Sequence, residues 1–206
     1  MKNTQPGDIV REAYSARSQE YAELVGSMAS THPSDRALVS AWAATLEGPA
    51  LDVGCGPGQW TNFLTECGLV ASGMDLVPEF VERARMQYPA LSFDVGSFAA
   101  LDAATDSLGG LLSWYSLIHQ NPQDIQIPLA EFARAIRPGG GVLVGFFEGG
   151  SVEAFGHAVT TGYRWSVAEL SQELVTAGFA VIETHTRTWS GYRPHGVIVA
   201  LRQSSR

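Results

Sequence analysis

The stretch Leu51-Asp52-Val53-Gly54-Cys55-Gly56-Pro57-Gly58 constrains this chain more than any other. An apolar strand, Pro49 to Val53, runs into three closely spaced glycines and then into a helical pattern, Gln59 to Glu66, ended by Gly68. A strand, glycine loop and helix in that order form the first half of a parallel crossover unit. The chain then repeats the alternation. Leu69 to Met74 reads as a second strand, and Pro78 to Gln87 as a helix with proline at its first position. Leu91 to Val95 and Leu108 to Trp114 read as the third and fourth strands. Gln123 to Ile136 is a helix stopped by Pro138-Gly139-Gly140-Gly141, and Val142 to Phe147 a fifth strand. Ser166 to Ala177 carries a capping box, Ser166 with Glu169, and ends at Gly178. Phe179 to Trp189 and Gly196 to Arg202 read as a closing antiparallel pair. Near-continuous apolar strands alternating with helices specify a doubly wound, mostly parallel sheet with helices on both faces.

Ahead of this core, Ile9, Val10, Ala13, Tyr14, Tyr21, Leu24 and Val25 recur at helical spacing. A break at Thr31-His32-Pro33 precedes Ser34 or Asp35 as the cap of a second helix, Arg36 to Leu46. The whole fits one domain of 206 residues. Composition removes several partners. Thirteen basic residues, of which only Lys2 is lysine, against 21 acidic ones give a net charge of -8 and no basic cluster for a nucleic-acid backbone. Two cysteines make neither a disulfide framework nor a four-ligand zinc site. The start MKNTQPGDIV has no apolar signal core, and no apolar run reaches the roughly 20 residues of a membrane span. An acidic, soluble, cytoplasmic chain is expected, with its oligomeric state left open.

Ligands of such sheets bind at the carboxyl ends of the strands. There the glycines Gly54 and Gly56 let a ligand approach bare backbone. Asp52 in the strand before them suits a ligand with a cationic group better than a pyrophosphate. Asp75, at the end of the second strand, lies where an acid accepts both hydrogen bonds of a ribose diol. Gly96, Ser97 and Phe98 follow the third strand, where an adenine would lie.

Together with Ile136-Arg137-Pro138-Gly139-Gly140, these segments resemble the class I S-adenosylmethionine-dependent methyltransferases, in their small-molecule, UbiE-like group. The resemblance runs from about Tyr14 to the last strand. It implies a Rossmann-like seven-stranded sheet of order 3-2-1-4-5-7-6 with the last strand antiparallel. It divides the domain into a helical cap (1–46), a cofactor-binding core (47–147), a substrate-facing insert (148–165) and a closing helix and hairpin (166–206). It also implies S-adenosyl-L-methionine as cofactor, bordered by Tyr21, Asp52, Gly54, Cys55, Gly56, Asp75, Leu76, Gly96, Ser97, Phe98, Trp114, Tyr115 and Ser116. An N-terminal helix often closes over that cofactor in the family, which makes Tyr14 and Tyr21 lid residues.

Methyl transfer from a sulfonium is a direct displacement that needs alignment and exclusion of water, with a base only where the acceptor holds its proton tightly. His119, just past the fourth strand, is the candidate base. Tyr14, Glu148, His157 and Tyr163 are the candidate substrate contacts, and an insert rich in aromatic residues favours a hydrophobic or aromatic small molecule. His185 and His195 on the closing pair are expected to be structural or exposed. No Asn-Pro-Pro-Tyr-like sequence follows the fourth strand, no Pro-Cys nucleophile is present, and that strand ends in Ser113 rather than an acid. Base methylation and metal-dependent catechol chemistry are therefore not supported. With Lys2 the only lysine and no G-x-G-x-x-G, a nicotinamide enzyme is disfavoured. The alternative is a non-catalytic module that binds the cofactor or its product.

Overall fold

A computed structural model describes residues 6–188 and 191–204, apart from the side chains of residues 6 and 22–25. Lys2, Trp189 and the side chains of Leu24 and Val25 lie outside the described residues. The elements run α1 Pro6–Ser15, α2 Ser18–Val25, α3 Pro33–Ala43, β1 Ala50–Val53, α4 Gln59–Glu66, β2 Ala71–Asp75, α5 Pro78–Gln87 and β3 Ser92–Val95. They continue through β4 Leu108–Trp114, α6 Gln126–Ala135, β5 Ile136–Phe147, β6 Glu153–Gly156, β7 Thr161–Arg164, α7 Val167–Thr176, β8 Phe179–Arg187 and β9 His195–Arg202.

Seven strands form one sheet in the order β3-β2-β1-β4-β5-β9-β8, with β9 antiparallel to both neighbours. This is the expected 3-2-1-4-5-7-6 once the two strands of the insert are counted. Apolar residues cover both faces of the sheet. Phe132 and Leu129 of α6 and Leu170 and Leu174 of α7 pack on one side, each at most 2% exposed. Trp42 of α3 and Trp60 and Leu64 of α4 pack against Leu112 and Leu143 on the other. Burial of this kind contributes about 1.5–3 kcal/mol per large side chain. The order reverses between β1 and β4, which opens a crevice at their carboxyl ends.

Four local features differ from expectation. The N-terminal pattern is two helices rather than one, broken after Ser15. His32, not Ser34 or Asp35, caps α3: its ring nitrogen Nδ1 accepts from the Ser34 amide at 3.2 Å, and Pro33 occupies the first turn. Asp35 is drawn away to Arg187 instead. β5 begins at Ile136, so the Arg-Pro-Gly-Gly segment is an irregularity inside the strand and not a loop before it. The insert folds into a hairpin, β6 paired with β7, on which Gly162 leaves room for the Phe155 ring opposite. No described helix is long and apolar enough to cross a membrane.

Candidate active site

The crevice is a cavity of about 500 Å³, within the usual size range of small-molecule sites. Its floor is built by the β1 loop. Gly54 and Cys55 both donate their amides to the Met74 carbonyl, at 2.7 and 3.0 Å, which bends the loop over the end of β2. Gly54 has φ +69°, and a Cβ there would lie 2.4 Å from Ser116 Cβ, so only glycine lets the β1 and β4 loops meet. At Gly56, φ +53°, a Cβ would meet nothing: this backbone faces open space.

Asp75 is pinned beside it. Its Oδ2 accepts from the Gly56 amide at 2.8 Å and its Oδ1 from the Val77 amide at 2.9 Å. Each oxygen keeps a further acceptor site for a ligand hydroxyl. Burial, the largest influence, pushes this carboxyl up to about 6 against the backbone hydrogen bonds that favour the charged form. Gly96, Ser97 and Phe98 form the wall after β3, and Leu76 borders Asp75.

Trp114, Tyr115 and Ser116 close the wall after β4. Tyr115 has φ +60°, a strained value for a side-chain-bearing residue. Its hydroxyl is bonded to His195 Nδ1. His195 is 4% exposed, and its Nε2 lies 3.6 Å from Asp35 Oδ1. Asp35 is held in turn by both terminal nitrogens of Arg187. His195 is thus buried and structural, one of its two expected placements, while the link it makes from Tyr115 to Asp35 carries no signal in the sequence.

Over the top lie Tyr14 and Tyr21, in a ring cluster with Phe80 at centroid distances of 5.3–5.9 Å. The Tyr14 hydroxyl meets His119 Nε2 at 3.0 Å, and His119 Nδ1 meets the Thr161 carbonyl at 2.7 Å. α1, the β4 loop and the hairpin therefore converge on one imidazole. Burial lowers the His119 pKa and raises that of the Tyr14 phenol, so both are neutral at pH 7.

Thus Tyr14, Tyr21, Gly54, Gly56, Asp75, Leu76, Gly96, Ser97, Phe98, Trp114, Tyr115, Ser116 and His119 share one cavity wall. Five other candidates lie outside it. Asp52 is 1% exposed and points toward α4, where it accepts from Thr61 Oγ1 at 2.7 Å. Cys55 is buried with its thiol toward the Gly56 carbonyl. His157 meets the His119 ring edge-on at 5.0 Å and lies tilted to Phe147 at 6.1 Å, and burial brings it down to about 4. Tyr163 joins the Ile118 carbonyl through its amide, and Glu148 borders a separate cleft of about 350 Å³ with Arg164 and Arg193. Sequence reading missed Gln120, Asn121, Asp124 and Ile127, which line the cavity after His119 and carry no recognisable motif. Among the described residues no cluster could hold a metal ion.

The two buried carboxyls set a pH dependence. Asp52 rises from 3.8 to about 7 and Asp75 from 3.8 to about 6, both chiefly by desolvation. In the window between, the folded chain holds protons that the unfolded chain has released, so their contribution to stability falls as pH rises through it. Burial of His119, His157 and His195 lowers their pKa values and acts with the opposite sign, so the test is a difference: in thermal unfolding the unliganded parent is expected to lose stability relative to Asp52→Asn from pH 4.5 to 7.5. An unchanged slope in the variant would contradict the assignment.

This arrangement, with its reversed sheet edge, glycine loop and pinned acid, is the fold of the class I S-adenosylmethionine-dependent methyltransferases, and residues 50–140 match the family model described as a methyltransferase domain. Among curated proteins the chain is similar to malonyl-[acyl-carrier protein] O-methyltransferase of Serratia marcescens, 29% identical over 150 residues, which is 71% of this chain and 52% of that protein. The chain thus spans about half the length of that relative. Among solved structures, magnesium protoporphyrin IX methyltransferase of Synechocystis with bound S-adenosylmethionine superposes with a TM-score of 0.78 at 16% identity, covering 98% of this chain and all of that one. The 1,6-didemethyltoxoflavin-N1-methyltransferase of Burkholderia thailandensis superposes with a TM-score of 0.74 at 22% identity, over 95% and 88% of the two chains.

Proposed function

We propose that this chain transfers a methyl group from S-adenosylmethionine to a hydrophobic or aromatic small molecule held in the cavity beneath Tyr14 and Tyr21. The observation that carries the proposal is the Asp75 carboxylate, fixed by the Gly56 and Val77 amides next to a glycine backbone that faces open space. That pairing suits a ribose diol on the acid with an amino-acid tail along Gly54 and Gly56. Gly96, Ser97 and Phe98 would border the adenine, and Trp114, Tyr115 and Ser116 the sulfur.

When bound, the cofactor supplies an electrophilic methyl on a sulfonium. The residues of the chain hold the acceptor in line with it and keep water out. α1 and α2 act as the cap, and the hairpin acts as the outer cover that orients His119 through Thr161. His119 and Tyr14 form the polar end of the acceptor space. Proximity and desolvation carry the rate, since the displacement needs no covalent nucleophile. Asp52 and Cys55 support the loop from behind rather than touch the ligand.

A non-catalytic binding module is less well supported, because the cavity extends past the Gly56–Asp75 corner to His119 and Asn121 and Tyr163 does not fill it. The test is transfer of label from methyl-tritiated S-adenosylmethionine into a pool of aromatic alcohols and amines. Transfer that depends on both acceptor and protein is expected. Tight binding of the cofactor with no transfer to any of them would favour the module.

A further inference from the structure

We propose that His195 is a positioning residue for cofactor binding: it holds the Tyr115 hydroxyl and so fixes the β4 loop against the glycine loop. The inference rests on the methyltransferase reading and adds to it a residue that does not line the cavity.

The two loops meet at Ser116. A Cβ on Gly54 would lie 2.4 Å from Ser116 Cβ, so they already stand as close as glycine permits. The residue just before Ser116 is Tyr115, whose φ of +60° is a left-handed value that side-chain-bearing residues seldom take. Such a conformation persists only where its surroundings fix it. The Tyr115 amide donates to the Gly145 carbonyl at 2.9 Å, and the ring packs 4.8 Å from Phe147 and 5.7 Å from Trp114. Packing lets a ring slide. The directional bond from its hydroxyl to His195 Nδ1 fixes where the far end points.

His195 is itself held. Strand register sets Phe147, His195 and Arg187 in one row across β5, β9 and β8, so the three side chains share a face of the sheet. The imidazole is 4% exposed, lies 5.4 Å from the Trp114 ring, and faces Asp35 Oδ1 at 3.6 Å through Nε2. Asp35, in the first turn of α3, is gripped on both oxygens by Arg187. Burial brings the imidazole down to about 4, so at pH 7 it is neutral with one ring hydrogen. The Asp35 carboxylate favours that hydrogen on Nε2, which leaves Nδ1 to accept from the Tyr115 hydroxyl. A row of side chains thus runs from α3 to the cavity wall, and a ligand meets only its last member, Tyr115.

Calorimetry of S-adenosylhomocysteine binding to the full chain tests this, with melting temperatures read on the same samples. Tyr115→Phe removes one oxygen and is expected to weaken binding by about three- to tenfold, the size of one net hydrogen bond. His195→Gln is expected to do the same, since its amide reaches the place of Nε2 and leaves that of Nδ1 empty. His195→Asn puts its side-chain oxygen where Nδ1 stood and is expected to stay within about twofold of the parent. Both histidine variants lose a buried ring and lower the melting temperature, so affinity is what separates a positioning role from packing. Tyr115→Phe combined with His195→Gln is expected to bind no more weakly than the weaker single variant, because the two act through one bond. Parental affinity in His195→Gln, no gain of His195→Asn over His195→Gln, or losses that add in the double variant each overturn the inference and leave the methyltransferase reading standing. A parent chain that binds no S-adenosylhomocysteine overturns that reading, and the inference with it.

Discussion

Replacing Asp75 with alanine is expected to weaken binding of S-adenosylhomocysteine by at least about 100-fold. Hydrogen bonds to a charged group are worth about 1.5–3 kcal/mol each, and the ribose diol would lose two of them. Each 1.4 kcal/mol is about tenfold in affinity. The loop also loses the acceptor of its Gly56 amide, so the backbone that receives the rest of the ligand is no longer held. The unliganded fold should suffer less. Two buried amides lose their partner, at about 1–3 kcal/mol each, but an acid that burial pushes up to about 6 is removed as well. Titration calorimetry and thermal unfolding on the same variant separate the two effects. An affinity within threefold of the parent would remove Asp75 from the site.

Gly54→Ala is expected to damage the fold and the site together, and Gly56→Ala chiefly the site. At Gly54 the new methyl would sit 2.4 Å from Ser116 Cβ, and Ser116 is itself tied to Ser113 at 2.7 Å, so neither loop can yield cheaply. With the left-handed backbone adding about 1–2 kcal/mol and overpacking about 1–3 kcal/mol, a loss of about 2–5 kcal/mol follows. For a chain of this length that is a fall in melting temperature of about 4–20 °C. At Gly56 the methyl meets no protein atom and projects into open space. Its stability cost is confined to the backbone, about 1–2 kcal/mol, while ligand affinity should drop beyond detection. Equal melting temperatures for Gly54→Ala and the parent, or full affinity in Gly56→Ala, would contradict this geometry.

Much of the architecture was legible because it is written in local patterns. Apolar strands, the glycines after β1, Pro78 at the start of α5 and the Ser166–Glu169 capping box each act within one element, and the structure repeats them. The hairpin was not legible: Glu153–Gly156 and Thr161–Arg164 are four residues each, without an alternating pattern to mark them as strands. Nor was the cap at His32, where a ring nitrogen does what Ser34 or Asp35 would ordinarily do. Most of the cavity wall could be placed from sequence, since strand ends in such a sheet converge. Which side chains turn away from it could not. Asp52 and Asp75 look alike as acids at strand ends, and only packing sends the first to Thr61 and the second to the cavity. The Tyr115–His195–Asp35–Arg187 chain joins four separate elements, with no spacing in the sequence to connect them.

The central claim is that the Gly54–Gly56 loop and Asp75 hold S-adenosylmethionine. Titration calorimetry of the unaltered protein with that compound tests it most directly. One site per chain is predicted, with a dissociation constant on the order of micromolar, as is usual for enzyme ligands, and a matching rise in melting temperature. No heat and no thermal shift at millimolar ligand would contradict the account.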